Sequence, residues 1–115
     1  MLSSIYHIMA FSYKPGTADD TKGAFHSRFM NLRLECKRDG REYIKDIQAG
    51  KAKPSEAHGL DNVLLFTFQT VEDSDYFRKY DPIYGAFLQE FFESGVLDKA
   101  ETWDAEPPVW IQGLF

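Results

Sequence analysis

Apolar and polar residues alternate with a period of two in several segments of the chain, which is typical of β-strands. The pattern predicts four strands, at residues 5–13, 43–50, 62–69 and 97–104. In the second of these, Ile44 and Ile47 interrupt the strict alternation, and we expect a β-bulge there. The first and third strands are apolar on both faces, so we expect both of their faces to be covered.

After the first strand, the apolar residues recur with the spacing of an α-helix. Thr17, with Asp20 three residues later, resembles a capping box in which Asp replaces the usual Glu or Gln, so we expect a helix over residues 18–37. Its apolar stripe recurs at spacings of four, three and four, at Phe25, Phe29, Leu32 and Cys36. A shorter helix is predicted at residues 71–80, "VEDSDYFRKY".

The stretch "YDPIYGAF" has the pattern of a helix start. Asp81 suits the N-cap and Pro82 the first helical position, and the helix should extend to about residue 94. Tyr84 then lies in the first turn, among backbone N–H groups that have no partner inside the helix. The phenol of Tyr84 is therefore a candidate for chemistry as well as for packing.

The predicted order is β-α-β-β-α-β, with the second crossover made of two helices. This is the α+β, ferredoxin-like arrangement, in which a four-stranded antiparallel sheet carries its helices on one face. The opposite face of the sheet would then carry no helices and would be exposed to solvent, although the first and third strands are apolar on both faces. We therefore expect two copies of the chain to pair as a homodimeric α+β barrel.

Length, composition and charge narrow the function classes. A chain of 115 residues and 13.3 kDa forms one domain, predicted at residues 1–104, without room for a separate cofactor domain. The net charge of −5 argues against nucleic acid, since phosphate binding needs clustered Lys and Arg. No apolar run approaches the roughly 20 residues of a membrane span. The single cysteine, Cys36, fits a reducing compartment, and we expect a cytoplasmic protein.

The C-terminal residues 105–115, "AEPPVWIQGLF", are too apolar for a solvated end. Pro107 and Pro108 should stop the last strand, because they lack backbone N–H donors. We expect the apolar side chains beyond them, Trp110 in particular, to pack on the domain, across the dimer seam or over a pocket mouth.

Three segments together resemble the stress-responsive A/B barrel family, also called dimeric α+β barrel or Dabb proteins. They are "YHIMAFSYKPGT", "EAHGLDNVLLFTFQTVEDSDYF" and "YDPIYGAFLQEF", and the resemblance covers about residues 5–104. Each motif alone is weakly specific, and it is their order and spacing that indicate the family. The resemblance implies two chains whose sheets close into one barrel.

The resemblance also implies a site. The family includes a plant polyketide cyclase that forms olivetolic acid, in which two His residues and a Tyr serve a cavity between sheet and helices. His7 corresponds to the first-strand His, whereas Tyr84 stands at the position of the second His. The chain thus departs from the family pattern at one catalytic position. Tyr76 and Tyr80 lie near the position of the family's Tyr, but the spacing before Asp81 differs.

An aldol-type closure needs a base for an acidic α-proton and a donor that polarises the accepting carbonyl. A neutral imidazole, with a reference pKa of about 6.5, suits the base, so His7 is the candidate. Tyr84, with a reference pKa of about 10, is a poor base but a good donor. The alternative for both residues is a purely structural one, a satisfied core histidine and a buried ring.

Candidate substrate-binding residues are the aromatic side chains predicted around this pair: Phe11, Phe25, Phe29, Tyr76, Tyr80, Phe87 and Phe91. The stripe from Tyr84 to Phe91 also fits a core helix. Neither His26 nor His58 makes metal-ligand spacing with His7, so we predict no metal site and no cofactor.

Two functions remain open. The first is a small-molecule protein whose aromatic pocket holds an apolar, partly oxygenated ligand, with cofactor-free cyclase or lyase activity of the aldol type. The second is a non-catalytic protein that binds hydrophobic ligands or takes part in a stress response. The replacement of the family's second His by Tyr84 favours the second function, and the presence of His7 favours the first.

Overall fold

The strands and helices follow one another in the predicted order, with a small hairpin inserted after the first helix. A computed structural model describes residues 4–51, 60 and 62–105. The elements are β1 (Ile5–Tyr13), α1 (Asp19–Glu35), β2 (Lys37–Arg38), β3 (Arg41–Glu42), β4 (Ile44–Lys51), β5 (Asn62–Phe68), α2 (Val71–Lys79), α3 (Pro82–Glu93) and β6 (Leu97–Ala105).

Four of the strands form one antiparallel sheet in the order β4-β5-β1-β6. Each neighbouring pair in this order is antiparallel, and β5 and β1 occupy the centre. This is the ferredoxin-like α+β fold, and the prediction of a four-stranded antiparallel sheet is confirmed. The predicted bulge is also confirmed, since the register of β4 against β5 shifts between Ile44 and Asp46.

The strand register decides which side chains meet on each face of the sheet. His7 lies opposite Phe66 of β5 and opposite Asp104 of β6, on the face that carries the helices. One residue along, Ile8 lies opposite Leu65 and Trp103, on the other face. A shift of one residue would exchange the two faces, so the register itself places His7 beside Asp104.

The core between helices and sheet is built mainly from aromatic rings. The predicted α1 stripe is confirmed: Phe29, Leu32 and Cys36 are buried, and Phe25 is partly buried against them. Phe29 packs edge-on against Phe87 of α3, with ring centroids 4.6 Å apart. Full burial of such a ring stabilises the fold by roughly 1.5–3 kcal/mol. No helix in the described part of the chain is long and apolar enough to cross a membrane.

The start of α3 has the predicted N-cap. Asp81 Oδ1 accepts hydrogen bonds from the backbone N–H groups of Ile83 and Tyr84, at 2.9 and 3.1 Å. Its other oxygen accepts from the hydroxyl of Tyr43 at 2.5 Å. Asp81 is only 4% exposed, so these bonds replace the hydration that the carboxylate loses. The cap therefore fixes the first turn of α3, and Tyr84 with it.

The capping box predicted for Thr17 is wrong. The N-cap of α1 is Ala18, without a side-chain hydrogen bond, and the hydroxyl of Thr17 donates instead to the carbonyl of Lys14 at 2.7 Å. The preceding turn, which includes Gly16 at φ 85°, brings that carbonyl within reach of the hydroxyl. A local turn thus competes with the helix for this side chain.

The end of α1 also differs from the prediction. The helix stops at Glu35 rather than at residue 37, and the next residues form the β2–β3 hairpin. Asp39 and Gly40 have φ values of 54° and 76° at its turn. Asp-Gly favours this left-handed turn geometry, so "RDGR" builds a hairpin as well as ending a helix. The predicted tail at residues 105–115 lies outside the described residues after Ala105, and its packing stays a prediction.

Replacement of Asp81 tests the role of the α3 cap. We expect Asp81→Ala to lower the free energy of unfolding by about 2 kcal/mol, because two backbone N–H groups and the Tyr43 hydroxyl lose their acceptor. Thr70→Ala is the matched control, since Thr70 caps α2 through one exposed bond to Asp73 N–H. It should cost about 1 kcal/mol or less. Urea denaturation measures both, and an Asp81→Ala effect no larger than the control contradicts this role.

Candidate functional site

His7 is the third residue of β1, and alternation along the strand places it on the helix-facing side, under α2 and α3. It is 4% exposed. Phe66 and Phe77 flank the imidazole, with centroid distances of 5.7 and 5.9 Å. A polar ring in such an apolar setting needs hydrogen-bond partners, and His7 has one on each ring nitrogen.

The first partner is the carboxylate of Asp104. Asp104 Oδ1 lies 2.8 Å from His7 Nδ1. Because an ionised carboxylate can only accept, Nδ1 carries the proton, and Nε2 is left with its lone pair. Asp104 Oδ2 is held in turn by Arg78 Nε of α2 at 2.7 Å, and Arg78 also pairs with Asp75. The ion pair fixes the carboxylate that orients the imidazole.

The second partner is the hydroxyl of Tyr84. Its oxygen lies 3.4 Å from His7 Nε2, a long contact in which the hydroxyl donates to the free lone pair. The phenol ring stacks on Phe77 with centroids 3.8 Å apart and planes inclined by 19°. Tyr84 is 2% exposed. Asp104, His7 and Tyr84 therefore form one hydrogen-bonded chain, here called the polar triad.

Burial decides the protonation states in the polar triad. Desolvation lowers the pKa of His7 below its usual value, a shift that Asp104 opposes and the positive charge of Arg78 reinforces. The imidazole is therefore neutral near pH 7. Burial raises the pKa of the Tyr84 hydroxyl well above its usual value, and the negative charge of Asp104 adds to the effect. Tyr84 keeps its proton and acts as a donor, while His7 Nε2 is free to accept one.

A second buried polar cluster lies at the start of α3. Burial, together with the charge of Asp81, raises the pKa of the Tyr43 hydroxyl and of the Cys36 thiol far above their usual values. Cys36 is completely buried, and a thiol in this state is a poor nucleophile. Among the described residues, no group of three or more His, Cys, Asp or Glu side chains is arranged to hold a metal ion.

The structure brings most of the predicted substrate-binding rings together, but not around His7. Five of them pack against one another: Phe11, Phe25, Phe29, Phe87 and Phe91. Tyr76 lies elsewhere, in edge contact with Tyr43 and beneath the guanidinium of Arg38. Tyr80 is 71% exposed at the end of α2. The five phenylalanines form a cluster of their own between α1, α3 and the sheet.

A cavity of about 350 Å³, here called the α1 pocket, lies beside this cluster, between α1 and the ends of β4, β5 and β1. Its buried lining is Phe11, Phe29 and Leu64, and its more exposed lining includes Lys22, His26 and Lys51. His7 and Tyr84 do not line it. His7 precedes Phe11 by four residues on the same strand face, about 13 Å at roughly 3.3 Å per residue. Met9, which is fully buried, stands between them.

Four residues around the predicted pair were not identified from the sequence. Asp104 binds His7, Arg78 binds Asp104 in turn, and Phe66 and Phe77 enclose the pair. The predicted topology places the last strand beside the first, so a contact of His7 with that strand could have been expected, but only the observed register identifies the residue as Asp104. No sequence signal sets Arg78 apart from the other charged residues of α2.

Removal of the Asp104 carboxylate tests the electrostatic part of this geometry. Asp104→Asn should lower the pKa of His7 further, because the imidazolium loses its negative partner while the Arg78 charge stays. Titration of the His7 ring resonances by NMR measures the shift. Since the folded pKa lies below the unfolded value of about 6.5, the His7 contribution to stability should fall as pH drops from about 6.5 toward the folded pKa.

Asp98→Asn is the control, since Asp98 is an exposed carboxylate six residues before Asp104 on the same strand. It should leave the His7 titration nearly unchanged. An Asp104→Asn variant in which the His7 pKa stays the same or rises contradicts the assigned contact.

Comparisons with known proteins agree with the fold. The chain is similar to the hydroxynitrile lyase from Passiflora edulis, with 21% identity over 92% of this chain and 94% of that one, and a TM-score of 0.76. It is also similar to a protein from Arabidopsis thaliana, with 22% identity, coverage of 91% and 96%, and a TM-score of 0.75.

A third similar structure is a dimeric ferredoxin-like protein from Thermobifida fusca, with 13% identity, coverage of 91% and 92%, and a TM-score of 0.66. At these identities the similarity establishes the fold alone. No curated protein matches the sequence. The stress-responsive A/B barrel domain family matches residues 5–103, nearly the whole described fold. The chain therefore belongs to the stress-responsive A/B barrel (Dabb) family.

Proposed function

We propose that this protein binds an apolar, partly oxygenated small molecule and carries out cofactor-free acid–base chemistry of the cyclase or lyase type. The observation that carries the proposal is the polar triad. A neutral imidazole with its lone pair directed at a phenolic hydroxyl places a base and a proton donor side by side in an apolar setting. Aldol-type bond formation or cleavage needs this pair of groups.

In this reaction His7 Nε2 takes a proton from the substrate, either from a carbon beside a carbonyl or from a hydroxyl. The imidazolium that forms keeps its Nδ1–H on Asp104, whose negative charge stabilises it. It returns the Nε2 proton to the alkoxide that the new carbon–carbon bond creates, or to the carbanion that leaves when such a bond breaks. Arg78 keeps Asp104 in place. Tyr84 donates a hydrogen bond to the oxygen on which negative charge develops, and its raised pKa keeps the proton available for that bond.

The similarity to a hydroxynitrile lyase is consistent with this chemistry, because cleavage of a hydroxynitrile also begins with removal of a hydroxyl proton. At 21% identity the resemblance does not select the substrate. We infer only the class: a molecule with an acidic proton near a carbonyl, or with a hydroxyl on the carbon that is released as a carbonyl.

We also propose that two copies form a barrel. The sheet face without helices carries Ile8, Leu65 and Trp103 in one row across three strands. Trp103 is 47% exposed in the single chain, and Ile8 and Leu65 are partly exposed. A second copy that packs on this face would bury the three apolar side chains. Contiguous apolar patches on a protein surface commonly mark such a contact. The similar protein from Thermobifida fusca is dimeric, which supports this arrangement.

A second function is favoured by a specific observation. His7 and Tyr84 are 4% and 2% exposed, and the α1 pocket lies farther along the sheet. In a non-catalytic protein the ligand would occupy that pocket alone, and the polar triad would serve as a buried network that ties β1, β6 and α3 together. The two functions differ in whether removal of the triad's functional groups affects turnover or only stability.

Assays of His7→Ala and Tyr84→Phe distinguish the two functions. Linear poly-β-ketones test ring closure, and an aromatic hydroxynitrile tests cleavage. We expect His7→Ala to lower kcat by about 10²–10⁴-fold, the usual contribution of a general base. Tyr84→Phe should lower kcat by about 10²–10³-fold, as the loss of one oxyanion donor does.

Tyr43→Phe is the matched control, because it removes a partly buried, hydrogen-bonded hydroxyl outside the polar triad. This variant should retain activity when circular dichroism shows it to be folded. If folded His7→Ala and Tyr84→Phe variants turn over a substrate as fast as the natural sequence does, the triad is not the acid–base group. Absence of turnover on either substrate class, together with ligand binding in the α1 pocket, supports the non-catalytic function.

A further inference from the structure

The charge distribution of the α1 pocket differs from that of the rest of the chain. The chain as a whole has 18 Asp and Glu residues against 13 Lys and Arg, for a net charge of −5. Among the residues that the structure describes, the lining of the pocket includes Lys22, Lys51 and His26 but no Asp or Glu. The charges of these described lining residues attract anions and repel cations.

The lysines of the pocket have no carboxylate partner among the described residues. The ion pairs of this part of the chain involve other side chains, and neither Lys22 nor Lys51 takes part in them. The ammonium of Lys22 lies 5.6 Å from the ring centroid of Tyr13, so the aromatic face holds the cation near the pocket without neutralising it. Both ammonium groups remain able to bind a ligand anion.

The buried part of the pocket has the opposite character. Phe11, Phe29 and Leu64 are 4%, 1% and 3% exposed. Rings and a branched aliphatic side chain present dispersion contacts and no hydrogen-bond donors to a ligand. The cavity volume of about 350 Å³ lies at the lower end of the range typical of small-molecule sites.

From this separation of apolar lining and cationic lining, we propose that the α1 pocket binds an apolar carboxylate. Its hydrocarbon or aromatic body lies on Phe11, Phe29 and Leu64, and its carboxylate faces Lys22 and Lys51, with His26 beside them. This inference rests on the proposed function only in that the protein binds an apolar small molecule. It does not depend on whether the polar triad is catalytic.

Two probes that share one aromatic body but differ in their head group test whether the α1 pocket prefers a carboxylate. 4-Phenylbutyrate and 4-phenylbutanol share the same aromatic body, and the acid is fully ionised at pH 7.5. Calorimetric titration at low salt should show the acid binding about fivefold more tightly, as expected for one or two solvent-accessible ion pairs. The difference should shrink in 0.5 M salt, because exposed charges are then screened.

Substitutions in the lining locate the binding. Lys22→Met combined with Lys51→Met should remove the preference for the acid and leave alcohol binding within about twofold of its original value. Lys79→Met with Lys37→Met is the control, since it makes the same charge change at exposed positions outside the pocket.

Gly23 offers a variant that blocks the pocket. No atom of another element lies within 4 Å of the position that a Cβ on Gly23 would take, so a side chain there enters open space. Gly23→Leu should weaken both probes at least tenfold by filling the cavity, whereas Gly23→Ala should leave binding nearly unchanged.

Three results overturn the proposal: neither probe binds the folded protein; acid and alcohol bind equally well; or the preference for the acid survives the Lys22/Lys51 substitutions. These results concern binding and are read independently of turnover. A preference for the acid in a protein whose His7→Ala variant keeps full activity supports this site while it contradicts the proposed catalysis. Loss of activity in His7→Ala, together with no binding of either probe, supports the proposed catalysis and contradicts this binding site.

Discussion

The hydrogen bond between His7 Nδ1 and Asp104 is the contact on which the candidate site depends. It joins the first and last strands of the sheet, 97 residues apart in sequence, across directly paired positions. The bond fixes the tautomer of a buried imidazole, and so determines that Nε2 faces Tyr84 as an acceptor. A one-residue change of register between β1 and β6 would place Asp104 on the opposite face and leave His7 without its carboxylate.

The rest of the fold holds this contact in an apolar setting. Phe66 from β5 and Phe77 from α2 enclose the imidazole, and Arg78, next to Phe77, binds the second oxygen of Asp104. Asp81 caps α3 and thereby fixes the turn that carries Tyr84. Desolvation by these rings keeps the imidazole neutral and the phenol protonated. The rings that pack around His7 and Tyr84 therefore also determine the protonation states of these two side chains.

Local patterns predicted the elements and the α3 cap, because hydrophobic period and capping chemistry act over a few residues. The pairing of His7 with Tyr84 as candidates came from the resemblance to the family, since no local pattern links two residues 77 positions apart. Local patterns failed where two local signals compete, as at Thr17, whose hydroxyl binds the Lys14 carbonyl. They also missed Asp104 and Arg78, whose roles arise only when register and helix packing bring distant segments together. Five of the seven predicted lining rings form one cluster, but this cluster lies beside the α1 pocket and not around His7, and Tyr76 and Tyr80 lie outside it.

The tautomer of His7 is the most direct test of this account. Nitrogen-15 NMR of the imidazole at pH 7.5 distinguishes a protonated ring nitrogen from one that carries a lone pair. The structure predicts a neutral ring with the proton on Nδ1, bound to Asp104, and an unprotonated Nε2 facing Tyr84. A ring protonated on Nε2 alone, or on both nitrogens at this pH, contradicts the assigned triad and removes the base from the proposed chemistry.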